Sequence, residues 1–345
     1  MALGKPFDDA YWRRCTLKWA GLLAMCLVGY AMRTFSWAAM TALAFCSLAA
    51  QASELPSFIE AGAKVEKIAQ GFRFTEGPVW DSRGWLLFSD IPASKIYRWI
   101  PGSRTRRGGS TLPTPLVGSL RVYHWPSGHS NGLALDRSGR LVICEHDRKI
   151  SRLEADGTVA TLAERFSNKR LNSPNDLVLK SDGSIYFTDP PYGVSNKDRE
   201  IEFSGVYRIT ADGRLSLVEK GMPFPNGIAF SPDESKLYVV DSGENNILVF
   251  DVQPDGSVLK PHLFAEVKLA GSNEGPDGIK VDRFGNVFCA GPDGIWILGP
   301  DGRLLEKIPM PEVPSNLAFG DADGSSLYIT ARTGLYRIKL RSNPP

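Results

Sequence analysis

The amino-acid sequence predicts an all-β fold, a six-bladed β-propeller in which the N-terminal and C-terminal strands pair to close the ring. Two short apolar strands separated by a turn recur six times along the chain, and such repetition indicates a solenoid or a propeller. The strands are not separated by amphipathic helical stretches of about 10–15 residues, which a doubly wound α/β fold requires. An extra apolar segment precedes the first repeat and can close the ring, which removes exposed sheet edges.

Each repeat carries a carboxylate or amide residue near its start, continues as an apolar strand, and turns through Asp, Ser and Gly into a second apolar strand. The repeats are TEGPVWDSRGWLLFSD from Thr75, SNGLALDRSGRLVICE from Ser130, PNDLVLKSDGSIYFTD from Pro174, PNGIAFSPDESKLYVVD from Pro225, PDGIKVDRFGNVFCAG from Pro276 and SNLAFGDADGSSLYIT from Ser315. Their carboxylate and amide residues lie 39 to 55 residues apart. This spacing is close to the roughly 40–50 residues of a propeller blade.

A third strand follows the second strand of the repeats. These third strands are KIYRWI from Lys95, KISRL from Lys149, GVYRIT from Gly205, NILVFDV from Asn246, GIWILG from Gly294 and GLYRIKL from Gly334. The last unit shows only these three strands. We therefore predict that AKVEKIA, Ala63–Ala69, is the outer strand of the sixth blade and closes the ring.

Residues 1–52 are predicted to be a signal peptide or leader, and residues 53–345 the propeller domain. The leader holds two apolar runs, and the second ends in Ala50-Gln51-Ala52, which fits the small-x-small rule for cleavage after Ala52. We therefore expect a periplasmic or secreted protein without stable membrane association after cleavage. Retained membrane anchors are the alternative, although each run is shorter than the roughly 20 apolar residues of a span. Met32 also begins a signal of ordinary appearance, which leaves the start of translation open.

The composition is that of a soluble globular domain, with 43% hydrophobic and 23% charged residues. The formal net charge of +2 gives no basic patch for nucleic acid, so no nucleic-acid partner is expected. Outside the leader only Cys144 and Cys289 remain, and each lies in an apolar strand-like run. Two buried free thiols are expected, and a disulfide would require the two residues to be close in space.

The first polar residues of the repeats are predicted to form a ring around one mouth of the central channel, because the innermost strands of a propeller line that channel. These residues are Glu76, Asn131, Asn175, Asn226, Asp277 and Asn316. The alternative for any single repeat is structural, since Asn or Asp before Gly commonly caps a turn through its own backbone.

Glu76, Asn175, Asn226 and Asp277 together would direct two carboxylates and two amide oxygens to one axis. Calcium takes 6–8 such hard oxygen ligands, including water. Two converging carboxylates without a cation would repel each other, and one would take up a proton. The sequence therefore predicts a divalent cation, Ca²⁺ foremost, with Mg²⁺ and Mn²⁺ as alternatives. Zn²⁺ fits less well because these positions lack His and Cys.

The sequence resembles the gluconolactonase, senescence marker protein (regucalcin) and luciferin-regenerating enzyme family of metal-dependent six-bladed propellers, over roughly residues 70–340. The matching motifs are EGPVW at Glu76–Trp80, SPND at Ser173–Asp176, TDPPYG at Thr188–Gly193, PNGIAF at Pro225–Phe230 and PDGI at Pro276–Ile279. Among the members, HSNGL and TDPPYG look closer to bacterial gluconolactonases than to the animal proteins.

This resemblance implies roles for individual residues. Glu76, Asn226 and Asp277 match metal ligands of the family, and Asn175 matches an asparagine that contacts substrate and, in some relatives, the metal. Asp277 also matches the residue assigned as base or nucleophile. The implied reaction is hydrolysis of a sugar lactone to the hydroxy acid, in which the cation polarises the carbonyl and Asp277 accepts a proton from water.

Other residues are candidates for contact with a small-molecule lactone. Asn131, His129 and Tyr192 are predicted to bind substrate with Asn175, while His146 is a weaker candidate near the top of its blade. Two alternatives to a sugar lactonase remain open. The first is a calcium-dependent propeller hydrolase of other lactones or organophosphate esters, which the same four ligands would also serve. The second is a non-catalytic propeller that binds a protein partner.

Overall fold

The computed structural model describes residues 57–102 and 118–341, and within these ranges the regular structure is almost entirely β. The first strand is β1 (Glu66–Gln70). Blade 1 contains β2 (Thr75–Asp81), β3 (Trp85–Asp90), β4 (Lys95–Ile100) and β5 (Ser119–His124), with a short 3₁₀ helix at Ile91–Ala93. Blade 2 contains β6 (Ser130–Leu135), β7 (Leu141–Glu145), β8 (Lys149–Leu153) and β9 (Val159–Ala163).

The remaining blades follow in chain order. A two-stranded ribbon of β10 (Arg165–Phe166) and β11 (Lys169–Arg170) leads to blade 3, which contains β12 (Leu177–Leu179), β13 (Ile185–Asp189), β14 (Gly205–Ile209) and β15 (Leu215–Glu219). Blade 4 contains β16 (Pro225–Phe230), β17 (Lys236–Asp241), β18 (Asn246–Asp251) and β19 (His262–Glu266). Blade 5 contains β20 (Ile279–Val281), β21 (Val287–Gly291), β22 (Gly294–Leu298) and β23 (Leu304–Pro309). Blade 6 contains β24 (Pro314–Gly320), β25 (Ser326–Ala331) and β26 (Gly334–Lys339).

Each blade is a four-stranded antiparallel sheet, and the sixth is completed by the first strand of the chain. Its strand order is β1-β26-β25-β24, and β1 pairs antiparallel with β26. The predicted six-bladed propeller and its closure by the segment before the first repeat are therefore confirmed.

The apolar residues of the strands form one buried cluster at each interface between neighbouring blades. Both faces of the middle strands are covered in this way, which is why β7 and β13 are buried along their whole length. Cys144 lies in the cluster between blades 2 and 3, and Cys289 in the cluster between blades 4 and 5. Both thiols are buried and free, as expected.

Turns between the first and second strands rely on an aspartate and a glycine. In blade 5, the Asp282 carboxylate accepts the N–H groups of Phe284 and Asn286 at 2.9 and 2.8 Å. Gly285 adopts φ 86°, a left-handed conformation that suits glycine. The Asp and Gly residues that mark five of the six repeats therefore set this hairpin, and in the fourth repeat the left-handed turn residue is Glu234, φ 58°.

Hydrogen bonds also join neighbouring blades close to the channel. The six bonds, taken around the ring, are Ser89 Oγ to Asn131 O, Gly132 N to Asn175 O, Thr188 Oγ1 to Asn226 O, Gly227 N to Asp277 O, Gly278 N to Ser315 O and Ser315 Oγ to Thr75 O. These bonds fix the starts of the inner strands against one another, at the level of the predicted ring of polar residues.

The predicted signal peptide and its cleavage after Ala52 lie outside the described residues and stay predictions. None of the helical structure in the described ranges is long and apolar enough to cross a membrane.

Candidate functional site

A cavity of about 400 Å³ opens at the end of the channel where the inner strands begin. The predicted residues that line it are Glu76, Asn131, Asn175, Asn226, Asp277 and Tyr192. Five of the six predicted ring residues, from different parts of the sequence, are thus brought to one concave site, which is the usual form of a small-molecule site. The sixth, Asn316, is not among its lining residues.

Glu76 is held at the wall of this cavity and is only 3% exposed. Its Oε2 accepts the N–H of Gly77 at 2.6 Å and the side-chain amide of Asn316 at 3.1 Å. Burial raises the pKa of Glu76 to about 7, and the negative charge of Asp176 adds to this effect. The carboxylate therefore lies in a position where its negative charge is costly unless a cation is nearby.

Asp277 shows the same effect more strongly. Burial raises its pKa well above the usual range, and the charges of Glu76 and Asp176 raise it further. The backbone of Asp277 is locked between blades, because its N–H donates to Ala290 O at 2.8 Å and its carbonyl accepts Gly227 N at 3.2 Å.

The amide of Asn226 is oriented by a chain of two hydrogen bonds. Its Nδ2 donates to Ser242 Oγ at 3.1 Å, and that hydroxyl donates to the carbonyl of Pro276 at 2.6 Å. Since Ser242 takes the NH₂ end of the amide, the Asn226 oxygen remains available in the cavity.

Asn175 is placed by the loop that precedes β12. The Asp189 carboxylate at the end of β13 accepts the N–H of Asn172 at 2.8 Å, and Asn175 N donates to Thr188 O at 2.9 Å. Asp189 is fully buried, and burial raises its pKa to about 7. The aspartate of the TDPPYG motif therefore holds the loop that carries Asn175 and does not line the cavity.

The donor set fits a divalent cation of the hard, oxygen-binding type. Within residues 57–102 and 118–341, no group of three or more His, Cys, Asp or Glu side chains is arranged to hold a metal. The cavity lining does include the carboxylates of Glu76 and Asp277 and the amides of Asn175 and Asn226, all of which offer hard oxygen donors. Burial, and after it repulsion among Glu76, Asp277 and Asp176, raises the pKa of Glu76 and of Asp277, and a bound cation would favour the charged form of both carboxylates.

His129 is predicted to bind substrate, but it is not among the residues that line the cavity. It adopts a left-handed conformation, φ 53°, and its half-exposed ring lies 2.9 Å from the Asp147 carboxylate at the surface. The histidine that lines the cavity is His146, whose Nε2 lies 3.1 Å from the Asn131 side-chain amide. Burial lowers the pKa of His146 to about 4, so the ring is neutral at neutral pH and can accept the Asn131 N–H.

Tyr192 lines the cavity as predicted. Its residue remains 46% exposed, and its ring stacks on Phe224 with centroids 5.6 Å apart. Burial of its hydroxyl, close to Ser242 and Asn226, raises its pKa to about 12. Tyr192 thus provides an apolar face and a neutral hydroxyl at the edge of the cavity.

Sequence reasoning missed two charged residues at the base of this site. Asp176 directly follows Asn175 and is only 2% exposed, and Lys280 lies three residues after Asp277. Their side chains are 3.7 Å apart. The signal available in the sequence was that Asp176 replaces the glycine found after the ring residue in four other repeats.

The raised pKa of Glu76 predicts how stability depends on pH. Its pKa is about 7 in the folded state against 4.5 ordinarily, so the native state binds more protons between these values. Stability of the chelator-treated protein should fall as pH rises through this window, lowering the melting temperature by roughly 5 °C between about pH 5 and 8. Thermal melts of the wild type and Glu76→Gln check this, and an equal slope in the variant would contradict it.

Comparison with known proteins gives matches over most of the chain. The family model described as the SMP-30/Gluconolactonase/LRE-like region matches residues 74–333. A gluconolactonase of Zymomonas mobilis is 34% identical over 307 residues, which cover 84% of each chain. An L-arabinolactonase of Azospirillum brasilense is also 34% identical, over 78% of this chain and 84% of the relative.

The solved structure of a gluconolactonase from Xanthomonas campestris gives a TM-score of 0.71 at 32% identity, covering 82% of this chain and 91% of that one. These relatives bear the names of lactone-hydrolysing enzymes, and the predicted enzyme class, a hydrolase acting on carboxylic esters, is confirmed at that level. The extent of the match, over more than half of the chain, places this protein in the SMP-30/gluconolactonase/LRE-like family.

Proposed function

We propose that this protein hydrolyses a sugar lactone of the gluconolactone type to its hydroxy acid, with a divalent cation held at the mouth of the channel. The observation that carries the proposal is the convergence of Glu76, Asn175, Asn226 and Asp277 on one cavity in a member of this family. The named relatives support a lactone as the substrate class.

The cation would be held by the carboxylates of Glu76 and Asp277 and by the amide oxygens of Asn175 and Asn226. Ca²⁺ is proposed because it accepts carboxylate and amide oxygens in flexible geometry. When bound, the cation polarises the ester carbonyl and stabilises negative charge that develops on its oxygen. Ser242 contributes by keeping the Asn226 oxygen turned into the cavity.

Asp277 is proposed as the base. Its carboxylate takes a proton from the attacking water as the water oxygen bonds to the carbonyl carbon. The bond from that carbon to the ring oxygen then breaks, and the proton held by Asp277 passes to the leaving oxygen to give the hydroxyl of the product. Lactone and water are thereby converted to a hydroxy acid, and the Asp277 carboxylate is regenerated.

The remaining wall of the cavity is suited to a polyhydroxylated ring. Asn131, fixed by His146, and the Tyr192 hydroxyl offer polar contacts, while the Tyr192 face offers an apolar surface. Aromatic faces with adjacent polar groups suit the alternating C–H and O–H surfaces of a sugar.

The proposed role of His146 predicts a difference between the two histidines of blade 2. His146→Leu removes the acceptor that orients Asn131, so kcat/KM for a sugar lactone should fall about tenfold. His129→Leu, the matched control at the surface, should change kcat/KM less than about twofold. Steady-state kinetics of both variants check this. A larger loss of kcat/KM in His129→Leu than in His146→Leu would show that His129, and not His146, supports substrate binding.

The function is tested by a panel of sugar lactones, aryl esters and an organophosphate ester, each assayed before and after chelation and after addition of calcium. Hydrolysis of sugar lactones that is lost on chelation and restored by calcium is the expected result. Turnover of only the aryl or phosphorus esters would show that the substrate is such an ester and not a sugar lactone. Calcium binding without turnover of any member of the panel would contradict an enzymatic role.

A further inference from the structure

Next to the proposed metal ligands, but outside the lining of the cavity, three side chains from three blades contact one another and form what we call the channel floor: Asp176, Lys280 and Asn316. The Asn316 amide donates to Glu76 Oε2 at 3.1 Å and to Asp176 Oδ2 at 3.3 Å. Blades 3 and 6 are opposite each other in the ring, so the bond between Asn316 and Asp176 crosses the channel. The floor therefore spans the channel and contacts a proposed metal ligand, Glu76, directly.

Asp176 is the unusual member of the floor. The residue after the ring position is a glycine in four other blades, Gly77, Gly132, Gly227 and Gly278. In blade 3 it is a carboxylate that is 2% exposed. Its Oδ1 accepts the N–H of Leu177 at 2.9 Å, which leaves Oδ2 facing the channel. A buried carboxylate needs a compensating positive charge.

Lys280 supplies that charge. Its Nζ lies 3.7 Å from Asp176 Oδ2 and donates to Asn316 Oδ1 at 3.3 Å and to the carbonyl of Ile279 at 2.9 Å. Three contacts fix the ammonium group within the channel. The other charged pair of the cavity, Arg332 with Glu274 at 2.8 Å, lies at the mouth and is internally neutral.

The formal charges of the floor and the site sum to two negative units, which one divalent cation would balance. Glu76, Asp176 and Asp277 are negative, and Lys280 is positive, which leaves a net charge of two negative units. The number of charged ligands is a principal determinant of calcium affinity. A missing positive charge at this position would make the site more negative than one divalent cation can balance.

We propose that Lys280 is a positioning residue that sets the charge of the metal site: it fixes Asp176 in the channel floor and offsets its charge. This inference rests on the proposed function, since it concerns the cation of that site. Without the Lys280 charge, calcium should bind more tightly, but negative charge on the ester oxygen should form less readily in the more negative site. Affinity for the metal and turnover should thus change in opposite directions.

The test compares Lys280→Met with Lys307→Met, the same substitution on the outer strand of the same blade, where Lys307 pairs with the exposed Asp293. Calcium titration calorimetry of the chelated full-length protein should show Kd lowered about ten- to hundredfold in Lys280→Met. The value of kcat at saturating calcium should fall about tenfold. Lys307→Met should leave both quantities within about twofold of the wild type.

A second variant restores the charge balance without Lys280. Asp176→Asn combined with Lys280→Met returns the site to two negative units, so its Kd should move back toward the wild-type value. This variant also avoids an unpaired buried carboxylate. Circular dichroism is used to check that it is folded.

Weaker calcium binding together with lower kcat in Lys280→Met would assign Lys280 a merely structural role and overturn the inference. So would an unchanged Kd, or a double variant that binds calcium no differently from Lys280→Met. If the wild type itself binds no calcium, the metal of the proposed function fails as well. If it binds calcium and only the variants disagree, the failure belongs to Lys280 alone.

Discussion

Asp277→Asn is expected to lower kcat for lactone hydrolysis by about 10²–10⁴-fold at saturating calcium, with the fold retained. The backbone of Asp277 is fixed by hydrogen bonds to blades 4 and 5, through Gly227 N and Ala290 O. Asparagine has the same shape, so these bonds should persist. It keeps an oxygen for the cation but cannot take a proton from water, and the loss should therefore appear in kcat.

Two measurements separate loss of the base from loss of the metal. A calcium titration of Asp277→Asn gives the concentration at which the site is filled, and kcat is then measured above it. Asp293→Asn, an exposed residue of the same blade that pairs with Lys307, is the matched control and should be fully active. Near-wild-type turnover by Asp277→Asn with calcium bound would show that another group accepts the proton.

The fold could be predicted because its signals are repeated and local. The apolar strands and a turn aspartate recur in every unit, and a turn glycine recurs in all units but the fourth. Pairing of β1 with β26 follows from the unpaired segment before the first repeat. The ring of polar residues followed from equivalence of the repeats. Asp189 of the TDPPYG motif holds the loop before Asn175 through the N–H of Asn172.

The interior of the channel could not be predicted in the same way. Pairing of the first two strands shifts register just after the ring residue, as between Glu76 and Val79 in blade 1 and between Pro225 and Ile228 in blade 4. After such a bulge, alternation along the strand no longer tells which side chains face the channel. In blade 5, Lys280 contacts Asp176 of another blade at 3.7 Å, and this contact has no counterpart in local sequence.

The structural interpretation of the repeat start, in which Asn or Asp before Gly caps a turn, does not describe Asn131 and Asn226, whereas Asn175 and Asp277 lie in the loops before β12 and β20. Glu76, Asn131 and Asn226 lie inside strands β2, β6 and β16. The glycine after each is needed because the neighbouring blade is so close: a Cβ on Gly227 would lie 2.5 Å from the carbonyl oxygen of Asp277. The ring residue and the glycine that follows it therefore have two roles. The ring residue lines the site, and the glycine allows neighbouring blades to pack closely.

This dual use predicts a large effect for Gly77→Ala. Gly77 adopts φ 53°, and a Cβ there would lie 2.0 Å from the carbonyl oxygen of Asn131, which is held by Ser89 Oγ at 2.8 Å. Neither backbone can give way without breaking the contact between blades 1 and 2. We expect the free energy of unfolding to fall by roughly 3 kcal/mol or more, from overpacking and left-handed strain together.

Gly139→Ala separates these two causes. Gly139 has a similar left-handed conformation, φ 74°, but a Cβ would meet nothing within 4 Å, so only the strain of about 1 kcal/mol applies. Denaturant unfolding of both variants measures the difference, which is the cost of the clash. Because Gly77 N also donates to the Glu76 carboxylate, Gly77→Ala should weaken calcium binding, whereas Gly139→Ala should not. Equal destabilisation and unchanged calcium affinity in both variants would show that the approach of blade 2 does not fix Glu76.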